Sequence, residues 1–209
     1  MIAIIDYGMG NVQSLSNAVE YVGSDVIVTS DAKEIEDADK IILPGVGAFG
    51  DAMKAIRERG LDKILYQEVI IKKKAMLGIC LGLQLLGKSS NEHGYHGGLG
   101  WLDATIIAFD PESGIHIPHI GWNNIEYSDP NPLFSGLKEG ERDFYFVHSY
   151  YMECNNPSDI YATCDYGIRF VAAVKCGNIL ATQFHPEKSQ DNGIQILKNF
   201  LNWKPGIHA

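Results

Sequence analysis

The chain is poor in the features that mark stapled, membrane-spanning or nucleic-acid-binding proteins. Four cysteines occur in 209 residues, Cys80, Cys154, Cys164 and Cys176, and no two form a C-x-x-C pair. Neither a disulfide framework nor a cysteine-based metal knuckle is therefore indicated, and a chain of this length buries enough core to fold without staples. Met1 opens straight into the apolar run Ile2-Ala3-Ile4-Ile5, from which a strand and no secretory leader are expected. A reduced, cytoplasmic setting follows as an expectation, in which Cys80 stays a thiol. Long hydrophobic runs are missing as well: Lys72-Lys73-Lys74 interrupts the stretch from Val69 to Leu77, far short of a membrane span. Positive charge is scarce, with 17 Lys and Arg against 26 Asp and Glu and a net charge of −9. Such a surface repels phosphate backbones, so nucleic acid is not an expected partner, and the lysine triplet reads as the solvated end of a helix. Repeats and low-complexity linkers are absent too, which favours one domain over residues 1–209.

What is present begins with an alternation of short β-branched runs and helical patterns. Strands are expected at Ile2 to Asp6, Val26 to Thr29, Ile41 to Leu43 and Ala75 to Ile79, and helices at Val12 to Val22, Asp51 to Ile71 and Leu81 to Lys88. Asn11 and Asp51 are the expected N-caps. This order implies an α/β fold with a mostly parallel sheet flanked by helices. From about Ser89 the pattern changes to a glycine-rich stretch and then short strand-like runs, at Ile115 to Ile120, Asn124 to Tyr127, Phe144 to Tyr151, Phe170 to Lys175 and Ile179 to Phe184. Turns are expected at Asp129 to Pro132, Glu139-Gly140 and Gly177-Asn178. The C-terminal half therefore reads as antiparallel and strand-rich, closed by a helix from Gly193 to Trp203.

Gly78-Ile79-Cys80-Leu81-Gly82 stands where a buried strand meets a helix. A nucleophile with glycine two positions to either side is the pattern of a nucleophile elbow; the alternative is a small buried cysteine in a glycine-bracketed turn. A thiol needs a base, a group to orient that base, and donors for an oxyanion. Among seven histidines, His185 ends an apolar run and is followed by Pro186 and Glu187, so strand alternation would turn His185 and Glu187 to one side. An ordinary strand exit with a solvent-facing Glu is the competing reading. His148 is the rival base, with no carboxylate two residues away. The pairs His93/His96 and His116/His119 lack a ligand spacing, and no metal is assigned. The loop Leu43 to Gly50 follows a strand and offers free backbone N–H groups beside the elbow. Gly8-Met9-Gly10 lacks the third glycine of a dinucleotide fingerprint, Gln13 standing in its place, so no nucleotide cofactor is expected.

Six blocks, taken in order, carry a family resemblance: Asp6 to Asn11, Pro44 to Gly50, Gly78 to Leu86, Pro118 to Asn123, Tyr145 to Tyr150 and Gln183 to Ser189. Through them the chain resembles the class I (triad) glutamine amidotransferases, and within these the glutaminase subunits of imidazole glycerol phosphate synthase. The resemblance implies a flavodoxin-like three-layer fold and hydrolysis of glutamine to glutamate and ammonia without a cofactor. It also implies a heterodimer with a (β/α)₈ barrel cyclase that receives the ammonia during histidine biosynthesis. Carried over, Cys80, His185 and Glu187 are the catalytic triad. Gly45, Val46, Gly47, Leu81, Gln84, Ser149 and Tyr150 are the residues for the substrate and its oxyanion. Tyr7, Met9, Asn11, Trp122, Asn123, Asn124, Tyr145 and Lys188 are those at the partner face, where Tyr7, Met9, Phe49 and Trp122 are expected to form an aromatic-rich surface. Lys88 and the stretch Gly98 to Ala104 resemble instead a paralogous branch that supplies ammonia to sugar amidotransferases for surface polysaccharide.

Overall fold

The computed structural model describes residues 1–137, 140 and 142–206. In chain order the first half runs β1 (Ile2–Ile5), α1 (Val12–Tyr21), β2 (Val26–Thr29), α2 (Ala32–Asp37), β3 (Lys40–Leu43), α3 (Phe49–Glu58), α4 (Leu61–Leu65), β4 (Ala75–Ile79) and α5 (Leu81–Gln84). The second half adds β5 (Ser89–Ser90), β6 (His96–Gly97), β7 (Ala104–Ala108), β8 (His119–Glu126), β9 (Asp143–His148), β10 (Tyr150–Cys154), β11 (Ile160–Asp165), β12 (Arg169–Cys176), β13 (Ile179–Thr182) and α6 (Gln190–Asn202). Nine strands form the main sheet in the order β2-β1-β3-β4-β13-β12-β11-β8-β9, and β10-β7-β5-β6 form a second one. β1 to β4 run parallel, as the alternating pattern predicts, because each crossover helix returns the chain to the same edge. β13 slots in beside β4 in the same direction, and β12, β11, β8 and β9 continue antiparallel.

The inner parallel strands β1, β3 and β4 are buried on both faces, which is why they read as unbroken apolar runs, whereas β2 at the edge is partly exposed. Ile4, Ile42 and Leu77 pack toward Leu15 and Val19 of α1 and Leu197 and Phe200 of α6. Their neighbours Ile5, Ile41 and Met76 face Met53 and Ile56 of α3 and Leu61 of α4. This is the two-residue period of a strand expressed as two cores.

Several local expectations are corrected. The single helix expected over Asp51 to Ile71 is broken at Gly60, whose φ of +67° reverses the chain before α4, and its last stretch, Tyr66–Ile71, is π-helical. Asp51 is not a cap: Ala48 occupies that position without a side-chain bond, and Glu92 Oε2 instead accepts from Phe49 N–H at 2.7 Å. Asn11 does cap α1, accepting from Ser14 N–H. The lysine triplet is a solvated helix end only in part: Lys72 and Lys73 are exposed where the π-helical turn ends. Lys74 is largely buried and, with Lys72, reaches the buried carboxylate of Glu68 at 2.9 and 2.8 Å. α2, capped by Asp31, and β11 are elements with no expectation behind them. α5 stops at Gln84, well before Lys88; of the strand expected at Ile115 to Ile120 only His119 and Ile120 are strand, and they run on through Asn124 to Glu126 as the one strand β8. Of the turn at Glu139-Gly140, Glu139 lies outside the described residues. Lys88 and Asp103 pair at 2.7 Å and Asn155 binds the same carboxylate oxygen, so these residues of the paralogue-like stretch clasp one loop to another.

Candidate active site

The site sits where β4 and β13 end side by side. Cys80 has φ +53° and ψ −107°, a strained conformation for a residue with a Cβ, at the junction of β4 and α5. The flanking glycines are sterically required. A Cβ on Gly82 would collide with the Leu43 carbonyl, and one on Gly78 would come within 3.0 Å of both Ala181 Cβ and Gly82 O. The turn is pinned by Cys80 N–H donating to Thr182 O at 2.7 Å, which ties the elbow to the strand that carries the base.

His185 and Glu187 meet, but not through strand alternation. β13 ends at Thr182, and a 3₁₀ turn over Pro186–Lys188 folds Glu187 back so that His185 Nδ1 lies 2.8 Å from Glu187 Oε1. Two further bonds fix the imidazole's backbone: His185 N–H donates to Tyr145 O, and Ser189 Oγ donates to His185 O at 2.6 Å. His185 is 2% exposed, and its Nε2 has no hydrogen-bond partner among the described residues. Burial opposes the imidazolium, yet the Cys80 sulfur and the Glu187 carboxylate outweigh it and push His185 up to about 10.

His148 cannot serve as the base. Its Nδ1 lies 2.8 Å from Tyr150 O, a pure acceptor, so Nδ1 carries the proton and Nε2 accepts from His119 Nδ1–H at 3.0 Å. His119 Nε2 in turn faces the Asn123 amide. Burial pushes His148 down to about 3 and His119 to about 4, so both are neutral packing residues.

The loop from Leu43 to Gly50, expected to serve the oxyanion, lies against the elbow. Gly45 is buried, and a Cβ there would meet the Tyr7 hydroxyl and, at 2.9 Å, Leu81 Cβ. Leu81 N–H donates to Gly45 O over a long 3.4 Å contact. Val46 and Gly47 are exposed beyond it. Gln84 Nε2 donates to Tyr150 O at 2.9 Å and to Gln183 Oε1 at 3.1 Å. With both donors used, its Oε1 is left for a ligand.

The expected aromatic surface needs correction. Tyr7 is 1% exposed and donates to Pro44 O at 2.8 Å, with its phenol pushed up by burial and by Cys80; Phe49 is fully buried. Both support the oxyanion loop from beneath instead of facing out. Trp122 is 47% exposed, crosses from Tyr145 at 6.2 Å, and Lys188 Nζ lies 5.7 Å above the Tyr145 ring; Ile120 beside them is 59% exposed. Met9 is half-buried, Asn11 is occupied in capping α1, Asn123 donates to Asp165 O, and Asn124 is exposed.

Two site residues were missed from sequence. Glu92 holds the α3 N-terminus beside the oxyanion loop and, after burial, raises the Tyr150 phenol through its charge. Gln183 is fully buried with Nε2 3.6 Å from Cys80 Sγ. Glu92 stands in a glycine-rich loop without periodicity, whereas the step from Gln183 to the matched histidine was a signal within reach. A groove of about 1040 Å³, bordered by Asp129, Tyr161, Lys175, Trp203 and Lys204, includes no triad residue. Among the described residues no group of three or more His, Cys, Asp or Glu side chains could hold a metal.

A family model described as glutamine amidotransferase class-I matches residues 3–203, and the chain belongs to that family. It is 50% identical over 209 residues to imidazole glycerol phosphate synthase subunit HisH 2 of Nitrobacter winogradskyi, covering 98% of this chain and 99% of that one. It is 46% identical to subunit HisH of Sulfurimonas denitrificans, covering 98% and 99%. Among solved structures, PurLQS from Thermotoga maritima superposes with a TM-score of 0.73 at 18% identity, over 96% of this chain and 97% of that one, a likeness of fold.

Proposed function

We propose that this chain is the glutaminase subunit of an imidazole glycerol phosphate synthase, in which residues 1–209 act as one domain. The observation that carries the reading is a strained, glycine-bracketed Cys80 tied by its N–H to Thr182 O at the end of β13, three residues before a buried His185 that is oriented by Glu187. In this reading the Cys80 thiolate attacks the carboxamide carbon of glutamine, forming a C–S bond and a tetrahedral oxyanion. Turning the Gly45–Val46 peptide withdraws the carbonyl from Leu81 N–H and lets Val46 N–H share the negative oxygen. His185 gives its proton to the leaving nitrogen, the C–N bond breaks, and ammonia departs from a γ-glutamyl thioester. His185, now neutral, takes a proton from water; the hydroxide adds to the thioester, the C–S bond breaks, and glutamate leaves with the thiolate–imidazolium pair restored.

Glutamine itself is a zwitterion. The Oε1 of Gln84 and the Glu92 carboxylate offer acceptors for its ammonium, Tyr150 lies beside both, and Ser149 is assigned to the substrate by the resemblance. Free ammonia is mostly protonated and non-nucleophilic near neutral pH, so its use requires delivery through a closed passage to a docked (β/α)₈ barrel cyclase. The exposed Ile120 and Trp122 with Tyr145 and Lys188 suit that contact, since an apolar centre with a charged rim is the usual anatomy of an interface. No described helix is long and apolar enough to cross a membrane, and a cytoplasmic location fits the reading. Lys88 and Asp103, which suggested a sugar-modifying branch, are accounted for by their mutual clasp.

The test is to quench the partner-bound chain with acid during turnover of radiolabelled glutamine and map the peptides. Label is expected on the peptide carrying Cys80; label confined to any other peptide, or none under conditions of slow deacylation, sinks the proposal. A pH dependence follows as well. Held up to about 10 against an ordinary 6.5, His185 carries its proton across the neutral range and loses it as pH rises through 10, so turnover should fall there. The same sign applies to stability: the ion pair's contribution is complete below 6.5 and vanishes as pH rises through about 10. Glu187→Gln weakens one of the two charges that hold the proton, and the alkaline limb of the rate profile should move to lower pH. An unmoved limb would remove Glu187 from this role.

A further inference from the structure

We infer that Gln183 is a positioning residue for the nucleophile, holding the Cys80 sulfur through a chain of side-chain amides anchored on a backbone carbonyl. The inference rests on the reading of Cys80 as nucleophile and goes beyond the triad. Gln183 follows the last residue of β13, is fully buried, and has its backbone fixed by donation to Ala172 O at 2.8 Å. Its side chain lies between two partners, Cys80 Sγ at 3.6 Å and Gln84 Nε2 at 3.1 Å.

Which end of the amide faces the sulfur follows from the far end of the chain. The Tyr150 carbonyl only accepts, and it receives both His148 Nδ1–H at 2.8 Å and Gln84 Nε2–H at 2.9 Å. The second N–H of Gln84 must then meet an acceptor, which is Gln183 Oε1. The NH₂ end of Gln183 is left pointing at Sγ. Turning either amide over would set two NH₂ groups against each other or leave the carbonyl of Tyr150 facing an oxygen.

The two groups on the sulfur favour different states. Val147 O, 3.9 Å away, suits an S–H donor and therefore the neutral thiol. The Gln183 N–H suits a negative sulfur, because a hydrogen bond to a charged acceptor is stronger than one to a neutral acceptor. Gln183 thus favours the thiolate in the resting pair with His185 and again when the thioester opens and charge returns to sulfur. Because Gln183 also accepts from Gln84, which lines the wall assigned to glutamine, the reactivity of the Cys80 sulfur and not KM is the readout that isolates its action on the nucleophile.

The experiment compares wild type, Gln183→Leu, Gln183→Glu and Cys80→Ala, each bound to its barrel partner. Alkylation by iodoacetamide is followed as a function of pH and read specifically on the Cys80 peptide, alongside kcat and KM for glutamine. Gln183→Leu removes the donor at nearly constant volume. It should slow alkylation at neutral pH about tenfold and move the rise of the profile to higher pH. It should lower kcat, and any accompanying rise in KM reports the freed Gln84 amide. Gln183→Glu keeps the shape and, wherever its carboxyl is ionised, offers no donor and repels the thiolate, so on the alkaline side it should move the profile in the same direction and further, and it carries the test if the leucine variant does not fold. Synthase activity driven by added ammonium salt reports folding and docking, and should persist in the variants. A merely structural role would lower activity without displacing the alkylation profile, and an undisplaced profile in both Gln183 variants overturns the inference. If Cys80→Ala retains glutamine-dependent turnover, the nucleophile assignment itself fails, whatever the Gln183 variants do.

Discussion

Cys80→Ala and His185→Ala should each abolish glutamine-dependent synthase turnover, by on the order of 10⁴-fold or more, while leaving turnover driven by added ammonia intact. The loss is large because the members of such a unit are not additive: without the sulfur there is no thioester, and without the imidazole the leaving nitrogen departs unprotonated. The ammonia-driven rate separates this from misfolding, since the partner's chemistry needs only a docked subunit. His148→Ala is the control. Both of its nitrogens are already bonded inside the protein, so it should reduce glutamine use far less than His185→Ala does. The reverse order would reassign the base.

Glu68→Ala should be the most destabilising single change outside the site. The Glu68 carboxylate is 1% exposed, its Lys74 partner is 11% exposed, and Lys74 Nζ also donates to the carbonyls of Ile35 and Glu36 at 2.8 Å. Burial works against the charged carboxylate, but Lys72 and Lys74 outweigh it and hold the carboxyl below its ordinary range. Removing one partner strands a nearly buried ammonium between α2 and the π-helical turn, a loss of about 3 kcal/mol. Lys72, 42% exposed and screened by water, contributes the smaller share. Thermal unfolding should drop by roughly 10 °C. Since the folded carboxyl titrates low, its contribution is present above the ordinary glutamate range and is lost as pH falls through the folded value, so the variant should be less acid-sensitive than wild type over that window. An unchanged melting temperature would remove Glu68 from the core's electrostatics.

What was legible in the sequence had a local signature. The parallel half shows itself because each buried strand is a short apolar run followed by a helical period, and the elbow shows itself because Gly78 and Gly82 are demanded by contacts within a few residues of Cys80. The misreadings are failures of local rules against distant contacts. Nothing near Asp51 tells that the α3 terminus is served by Glu92, and nothing near Lys74 tells that it seals a carboxylate inside a helix. Tyr7 has the composition of an exposed loop aromatic, yet the space beneath Gly45 takes its hydroxyl. His185 and Glu187 were paired correctly by spacing but through the wrong geometry, because Pro186 starts a 3₁₀ turn where a strand was expected.

β13 is the last strand of the chain, yet it occupies an inner position, between β4 and β12. During translation the thiol therefore emerges long before the imidazole, and until the C-terminal segment inserts, the sheet is split into two halves with no base beside the sulfur. A chain cut short before β13 lacks both the strand that joins β4 to β12 and the histidine that follows it.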